Sequence, residues 1–334
     1  MKPVTFGIIG AGRIGKLHAD NLLSRVDGAR LKAITDPFLD EDWAASRSIP
    51  LTGKDHRILL DDPEIDAILI GSPSAEHAQQ MIECAEAGKH IFCEKPIALD
   101  PEIIRNALAE VDKSGVKLQV GFNRRFDPNF AAVQQQVASG ALGDPHIIRI
   151  TSRDPAPPSA EYVAGSGGMF LDMTIHDFDM ARFLSSSEVT EVHAYGAVLV
   201  DPEIGKAGDI DTAVISLKFA NGALGIIENS RKAVYGYDQR VEVFGAKGTA
   251  MADNNTPTSM IVLNESGTIR DKPLYFFLER YKTAFVAEMQ AFVDAIREDK
   301  PTLVSGKDGL VPVLIAMAAK ESLKTGKPVQ VVSV

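Results

Sequence analysis

The chain has 334 residues, enough for about two domains at the usual ~150 residues each. Its 45% hydrophobic and 24% charged residues match an ordinary globular protein, which excludes a disordered chain. With 35 Lys and Arg against 45 Asp and Glu the net charge is −10, which repels phosphate backbones and anionic lipid surfaces and argues against nucleic-acid and membrane partners.

No apolar run approaches the ~18 residues that span a bilayer, and Met1-Lys2-Pro3 leads straight into Val4-Thr5-Phe6 without a signal-peptide pattern. A cytoplasmic protein is expected. Cys84 and Cys93 are the only cysteines, with no second pair and no His cluster beside them, so both read as buried small hydrophobes and no metal site is expected.

The first third alternates short apolar runs with amphipathic ones. Val4 to Gly10 is followed by a helical stretch from Arg13 to Leu23, then Leu31 to Thr35 and Asp66 to Gly71. A helical Ala75 to Ala87, His90 to Cys93, a helical Pro101 to Lys113 and Lys117 to Gly121 complete the series. Short runs separated by helices predict a doubly wound parallel sheet, an α/β domain over residues 1–122. After Phe122 the rhythm changes. A helix from Asp127 to Ser139 leads to His146-Ile147-Ile148-Arg149-Ile150, and a helix from Met169 to Leu184 gives way to strands. In Thr212 to Phe219, Ala213, Ile215, Leu217 and Phe219 fall on one face, and Asn221-Gly222, the pair most typical of a two-residue hairpin turn, leads into Ala223 to Glu228. Val241 to Phe244 and Ser259 to Leu263 read as further strands of one antiparallel sheet. Helices near Ala284 to Arg297 and Leu310 to Leu323 and a strand from Pro328 to Val332 finish the chain. Residues 123–334 therefore predict an α+β domain with a large, mostly antiparallel open sheet.

Gly10-Ala11-Gly12-Arg13-Ile14-Gly15 lies between the first strand and the first helix, the context that the dinucleotide fingerprint requires. The first glycine permits the tight turn, the second lets backbone approach a pyrophosphate, and the third lets helix pack on strand, with the phosphates at the helix N-terminus. Asp36 ends the second strand 21 residues after Gly15, close to the ~20 expected for a carboxylate on the adenosine ribose. That carboxylate would repel a 2′-phosphate, and Pro37 beside it offers no cation, so NAD is expected over NADP.

Two constellations concern a substrate. Glu94-Lys95-Pro96 puts Lys95 at the carboxyl end of a parallel strand, where such sheets bind ligands. In Gly167 to Met180, at 100° per residue, His176 lies about 40° from Asp172 and Asp179 about 20° on its other side. Two carboxylates and an imidazole thus share a helix face, the other faces carrying Leu171, Met173, Ile175 and Phe178. Such a stripe needs a polar cleft or partners of its own, because burying it unpaired costs several kcal/mol. The set suits hydride transfer from an alcohol: an imidazole with a reference pKa of about 6.5 takes the hydroxyl proton, a carboxylate steadies the imidazolium, and a lysine ammonium stabilises the developing oxyanion.

Together with Gly121-Phe122-Asn123-Arg124-Arg125-Phe126 and Gly168 to Asp179, the glycine loop and the Glu-Lys-Pro run resemble the glucose-fructose oxidoreductase and inositol dehydrogenase family over nearly the whole chain. Tyr235 to Gly245 and Phe276 to Tyr281 resemble its inositol 2-dehydrogenase members. The resemblance implies oxidation of myo-inositol to the 2-keto derivative with NAD, by a homotetramer whose antiparallel sheets pack together. It implies Lys95, Asp172 and His176 as catalytic residues, and cyclitol contacts from Asn123, Arg125, Asp179 and Tyr235. A cofactor lined by Ser72, Pro73, His77 and Glu94, and a cis bond before Pro96, are also implied. Mixed donors and acceptors from Arg, Asn, Asp and Tyr suit adjacent ring hydroxyls. Asp154, in the proline-rich Asp154-Pro155-Ala156-Pro157-Pro158 loop, is a further substrate candidate beside a plain surface reading. Trp43 is expected to pack on the cofactor domain, and His18, His56, His90, His146 and His193 to be structural or at the surface. Three alternatives stay open: a dehydrogenase for scyllo-inositol, D-chiro-inositol or a hexopyranose, an NAD-retaining glycosidase, and a nucleotide-sensing regulator.

Overall fold

The computed structural model describes residues 2–333, which form two compact units. The first holds residues up to Asn123 and the segment Thr283–Val313; the second holds Arg124–Lys282 and the chain from Leu314 onward. The sequence predicts one crossing, near residue 122. The return of residues 283–313 to the first unit was not anticipated.

The first unit is a parallel sheet of β1 (Val4–Ile9), β2 (Ala29–Thr35), β3 (Leu51–Gly53), β4 (Ala67–Ile70), β5 (His90–Glu94) and β6 (Leu118–Gly121), in the order β3-β2-β1-β4-β5-β6. It alternates with α1 (Arg13–Ser24), α2 (Glu41–Ser46), α3 (Arg57–Leu60), α4 (Ser74–Glu86) and α5 (Pro101–Ser114). The order reverses between β1 and β4, and it is outside the carboxyl ends of strands at such a switch point that doubly wound sheets bind ligands. β1 and β4 are buried along their whole length, as central strands covered on both faces must be.

In the second unit, α6 (Pro128–Ala138) precedes β7 (Pro145–Arg153). After α7 (Ala160–Ser166), α8 (Met169–Asp172) and α9 (Thr174–Ser185) come β8 (Val189–Ala197), α10 (Pro202–Lys206), β9 (Thr212–Phe219), β10 (Leu224–Ser230), β11 (Asp238–Gly245) and β12 (Gly248–Ala252). β13 (Ile261–Asn264), β14 (Gly267–Arg270) and α11 (Phe277–Arg280) follow; α12 (Lys282–Arg297), from Thr283 onward, and the first part of α13 (Gly306–Thr325) belong to the first unit, and the rest of α13 with β15 (Val329–Gln330) to the second. Seven strands form one sheet, β12-β11-β7-β10-β9-β8-β15, antiparallel except where β7 and β10 run parallel. The period-two reading of β9 is met residue by residue: Ala213, Ile215, Leu217 and Phe219 are buried while Val214, Ser216 and Lys218 are exposed.

Three local expectations are corrected. The β9–β10 connection is not a two-residue turn: Phe219 pairs with Ala223 around Ala220-Asn221-Gly222, and Gly222 at φ 88° takes the left-handed position of a three-residue loop. The run beginning at Ser259 does not join the large sheet. Its strand β13 pairs with β14 in a separate two-stranded hairpin whose residues are all exposed. The long helix expected from Met169 to Leu184 is interrupted at Met173, giving α8 and α9.

The core of the first unit joins Phe6 and Ile8 of β1, Leu31 and Ile34 of β2, Leu69 of β4 and Phe92 of β5 to Ala19 and Leu22 of α1 and to Met289, Phe292 and Val293 of α12. Trp43 packs at its edge, as expected, between Lys16 and Arg47. Among the described residues no helix is long and apolar enough to cross a membrane.

Candidate functional site

The glycine loop of the first unit is built to exclude side chains. Gly10 has φ 96°, and a Cβ on it would lie 2.5 Å from the Ser72 backbone nitrogen, while one on Gly15 would lie 1.9 Å from the Gly10 carbonyl oxygen. A bare loop is thus forced against β4 and the opening of α1. No side chain caps that helix at Gly12, and a helix N-terminus so opened favours an anion. Asp36, just past β2, ties the loop back: its carboxylate accepts the Ala11 N–H at 2.7 Å and the Phe38 N–H at 2.8 Å. A fixed carboxylate beside an uncapped helix start fits a ribose and a pyrophosphate, so the residues present suit a dinucleotide.

The other first-unit candidates fall around the ends of β4 and β5. Ser72 donates its hydroxyl to Gln80 Oε1 at 2.6 Å, and Pro73 opens α4. His77 is buried with its two ring nitrogens 2.9 Å from the Ser72 and Pro96 carbonyl oxygens, so the ring staples one strand end to the other. Burial lowers its pKa, partly opposed by those two carbonyls. Glu94 is also buried and lies 2.8 Å from His18 Nε2. Lys95 follows, half-buried, and the Lys95–Pro96 bond is cis. Asn123, buried, ends this segment of the unit.

In the second unit the interruption at Met173 changes the expected geometry. Asp172 is the last residue of α8 and His176 belongs to the first turn of α9, its N–H reaching the Met173 carbonyl at 3.3 Å, so a single 100° helical wheel does not describe the three residues. Each carboxylate of the expected stripe has its own partner. Asp179, fully buried, takes a two-pronged bond from Arg125 at 2.6 and 2.9 Å, and the Arg125 guanidinium lies over the Phe183 ring. Asp172 faces Arg231 Nη2 at 3.0 Å and accepts the Tyr162 hydroxyl at 2.9 Å.

Arg231 also reaches Asp154 at 3.3 Å, so one buried guanidinium joins the acid after β7 to the acid of α8. Burial opposes the charge of Arg231, but the Asp172 and Asp154 carboxylates outweigh it and hold its pKa above the ordinary value. Burial, with Asp172 adding to it and Arg231 opposing, pushes Asp154 up to about 6. Tyr235 is held in a chain: Arg153 donates to its hydroxyl at 2.8 Å, and that hydroxyl donates to Asp238 at 2.6 Å. The second unit therefore brings Asp154 and Asp172 together through Arg231, pairs Arg125 with Asp179, and holds Tyr235 in a separate network. Lys95 and Asn123 belong to the first unit.

Arg231 and Tyr162 are the residues that sequence reasoning missed. Arg231-Lys232 beyond a strand reads as solvated surface; the one usable signal was that two neighbouring acids on mostly buried elements require a cation. Deeper in the unit, Asp177 is fully buried and bonds Arg124 at 2.6 Å and Asn229 at 2.8 Å, which anchors α9 to the sheet.

A family model described as an oxidoreductase family with an NAD-binding Rossmann fold matches residues 4–122, and a GFO/IDH/MocA C-terminal domain model matches residues 130–251. The uncharacterized oxidoreductase YrbE of Bacillus subtilis is 54% identical, covering 99% of this chain and 97% of its own. A myo-inositol 2-dehydrogenase of Thermotoga maritima is 49% identical across 97% of both chains. The crystal structure of a scyllo-inositol dehydrogenase of Lactobacillus casei, with bound NAD(H) and scyllo-inositol, superposes with a TM-score of 0.92 at 35% identity, covering 99% of this chain and 100% of that one.

Proposed function

This chain belongs to the GFO/IDH/MocA oxidoreductase family, and from that membership we propose that it oxidises myo-inositol at one ring carbon, with NAD as hydride acceptor, to the 2-keto cyclitol. The observation that carries the substrate class is the Asp154–Arg231–Asp172 arrangement, in the unit that also presents His176. Two carboxylates bridged by one guanidinium, with a tyrosine hydroxyl beside them, combine the donors and acceptors that adjacent hydroxyls require, whereas an anionic substrate calls for surplus positive charge. A second reading, scyllo-inositol as substrate, is supported by the Lactobacillus casei relative that binds it.

Gly10, Ala11, Gly12, Arg13, Ile14, Gly15 and Asp36 would hold the dinucleotide, with Ser72, Pro73, His77, Glu94 and Lys95 nearer its reactive end. Bound NAD supplies the hydride acceptor at its nicotinamide ring. His176 is assigned the hydroxyl proton, which a neutral imidazole accepts near pH 7. Asp172, paired with Arg231, is assigned to steady the imidazolium that results. The Lys95 ammonium is assigned the substrate oxygen as negative charge develops on it. Asn123, Arg125, Asp154, Asp179 and Tyr235 are assigned to orient the ring, Arg125 through its pairing with Asp179.

The proposal extends to a cytoplasmic homotetramer serving inositol catabolism. Support for assembly comes from the open face of the large sheet, where Val214, Leu224, Ile226, Phe244 and Met251 are exposed, with Met251 64% accessible. Arg149, Glu242 and Lys218 stand among them on the same face, and large exposed apolar side chains grouped with a polar surround mark interaction surfaces.

The test is a panel of myo-, scyllo- and D-chiro-inositol and pyranose sugars, each incubated with NAD and followed by the absorbance of reduced nicotinamide. Highest kcat/KM on myo-inositol is expected. Turnover confined to pyranoses would overturn the substrate, and cleavage of a nitrophenyl glycoside without net reduction would overturn the reaction.

A further inference from the structure

His18 of α1, Glu94 of β5 and Glu288 of α12 meet inside the first unit. All three are buried, and one ligand-type atom from each lies within 4.8 Å of the others. His18 Nε2 stands 2.8 Å from Glu94 Oε1 and 3.9 Å from Glu288 Oε1. The surroundings are aromatic: the His18 ring makes edge contacts with Phe92 at 5.4 Å and Phe285 at 5.7 Å. Neither carboxyl oxygen of Glu288 has a hydrogen-bond partner among the described residues. Gln119, on β6, donates instead to the Glu288 backbone carbonyl at 2.7 Å.

The one imidazole nitrogen in reach pairs with one carboxylate, and the distances give it to Glu94. A second ionised carboxylate in this apolar enclosure, with no hydrogen-bond partner of its own, would cost far more than a ring nitrogen at 3.9 Å returns, and a group so placed neutralises by taking up a proton. We infer that Glu288 works as a neutral carboxylic acid, a positioning residue that leaves Glu94 alone to pair with His18 and thereby fixes the strand end from which Lys95 follows. Burial first, and then the Glu94 carboxylate, push the Glu288 carboxyl well above its ordinary range, in the same direction. The other oxygen of Glu94 packs closely over Gly121, where a Cβ would lie 2.9 Å from Oε2. The groups that face Glu288 electrostatically are Glu94 and His18. The link to catalysis rests on the hydride-transfer reading above, in which Lys95 steadies the substrate oxygen.

A carboxyl that is protonated when folded and ionised when unfolded takes up one proton on folding. Stability from such a group is complete below its unfolded pKa and declines as pH rises toward the folded value. Unfolding of the full chain by urea is therefore compared for wild type and Glu288→Gln between pH 6 and 8. The wild-type unfolding constant should rise relative to that of the variant by about tenfold per pH unit, one proton's worth. A ratio that stays flat overturns the inference. So does a stoichiometric metal ion in purified wild type that Glu288→Gln lacks, because the cluster would then hold a cation in place of a proton. If Glu288→Gln does not fold, Glu288→Met is compared in its place.

The positioning role has its own readout. Glu288→Ala should lower kcat by about tenfold with a smaller change in KM, and Glu288→Gln should recover most of that loss. Equal impairment of the two variants overturns the role. The unfolding comparison uses no substrate, so a wild type that fails to oxidise any cyclitol would count against the proposed function and leave the state of Glu288 decided by its own result.

Discussion

At the scale of single residues, the decisive contact is the guanidinium of Arg231 between Asp154 and Asp172. Replacing it by methionine leaves two facing carboxylates without their cation, and kcat/KM on the preferred cyclitol should fall by about 10²-fold. Lysine should restore little, because a single ammonium cannot serve two carboxylates in a planar fork. Asp154, pushed up to about 6, gains its charge only above that pH. If the carboxylate accepts a substrate hydroxyl, kcat/KM should decline below about pH 6, and Asp154→Asn should remove that component of the acid limb. His176→Ala should lower kcat by ~10²–10⁴-fold, the usual share of a general base, with NAD affinity measured by fluorescence little changed. Residue types singled out His176 and Asp172 as candidates in the sequence, but the helical spacing that related them fails at the Met173 interruption. Arg231 was not singled out, because its meaning lies in contacts with residues some 60 to 80 positions away in the chain, and no local pattern reports those.

Among the elements, the turn between β1 and α1 was read almost completely, since the glycines that a close backbone approach demands are visible as letters. Gly10→Ala should destabilise the chain by about 2 kcal/mol or more, from the positive φ and the clash with Ser72, and should abolish NAD binding in calorimetry. Asp36→Ala should weaken NAD and relax its preference over NADP; an unaltered ratio would place the ribose contact elsewhere. Reading was weaker where periodicity was silent. The α8–α9 interruption falls at Met173, an ordinary helix residue with no glycine or proline to mark it. The β13–β14 hairpin has strand composition but no core to face, so composition alone assigned it to the wrong sheet. Helix α12 was found by its periodicity, yet which unit its apolar stripe would bury against depended on tertiary packing with Phe6 and Phe92.

For the molecule as a whole, the two kinds of sheet announced themselves through their different rhythms, continuous apolar strands in the first unit and alternation in the second. The alternation also shows which face of the large sheet remains uncovered. Ile226→Asp, on that face, should reduce the assembled mass seen by light scattering while the monomer keeps its fold by circular dichroism; an undiminished assembly would place the interface elsewhere. The central claim is that a hydrogen leaves a cyclitol ring carbon as hydride while His176 takes the hydroxyl proton. It is tested most directly with myo-inositol deuterated at C2, NAD and the purified protein, followed by mass spectrometry of the reduced nucleotide. One deuterium in the nicotinamide ring, formed in step with the ketone, is the expected result; reduced nucleotide carrying only solvent hydrogen, or ketone formed without it, would contradict the mechanism.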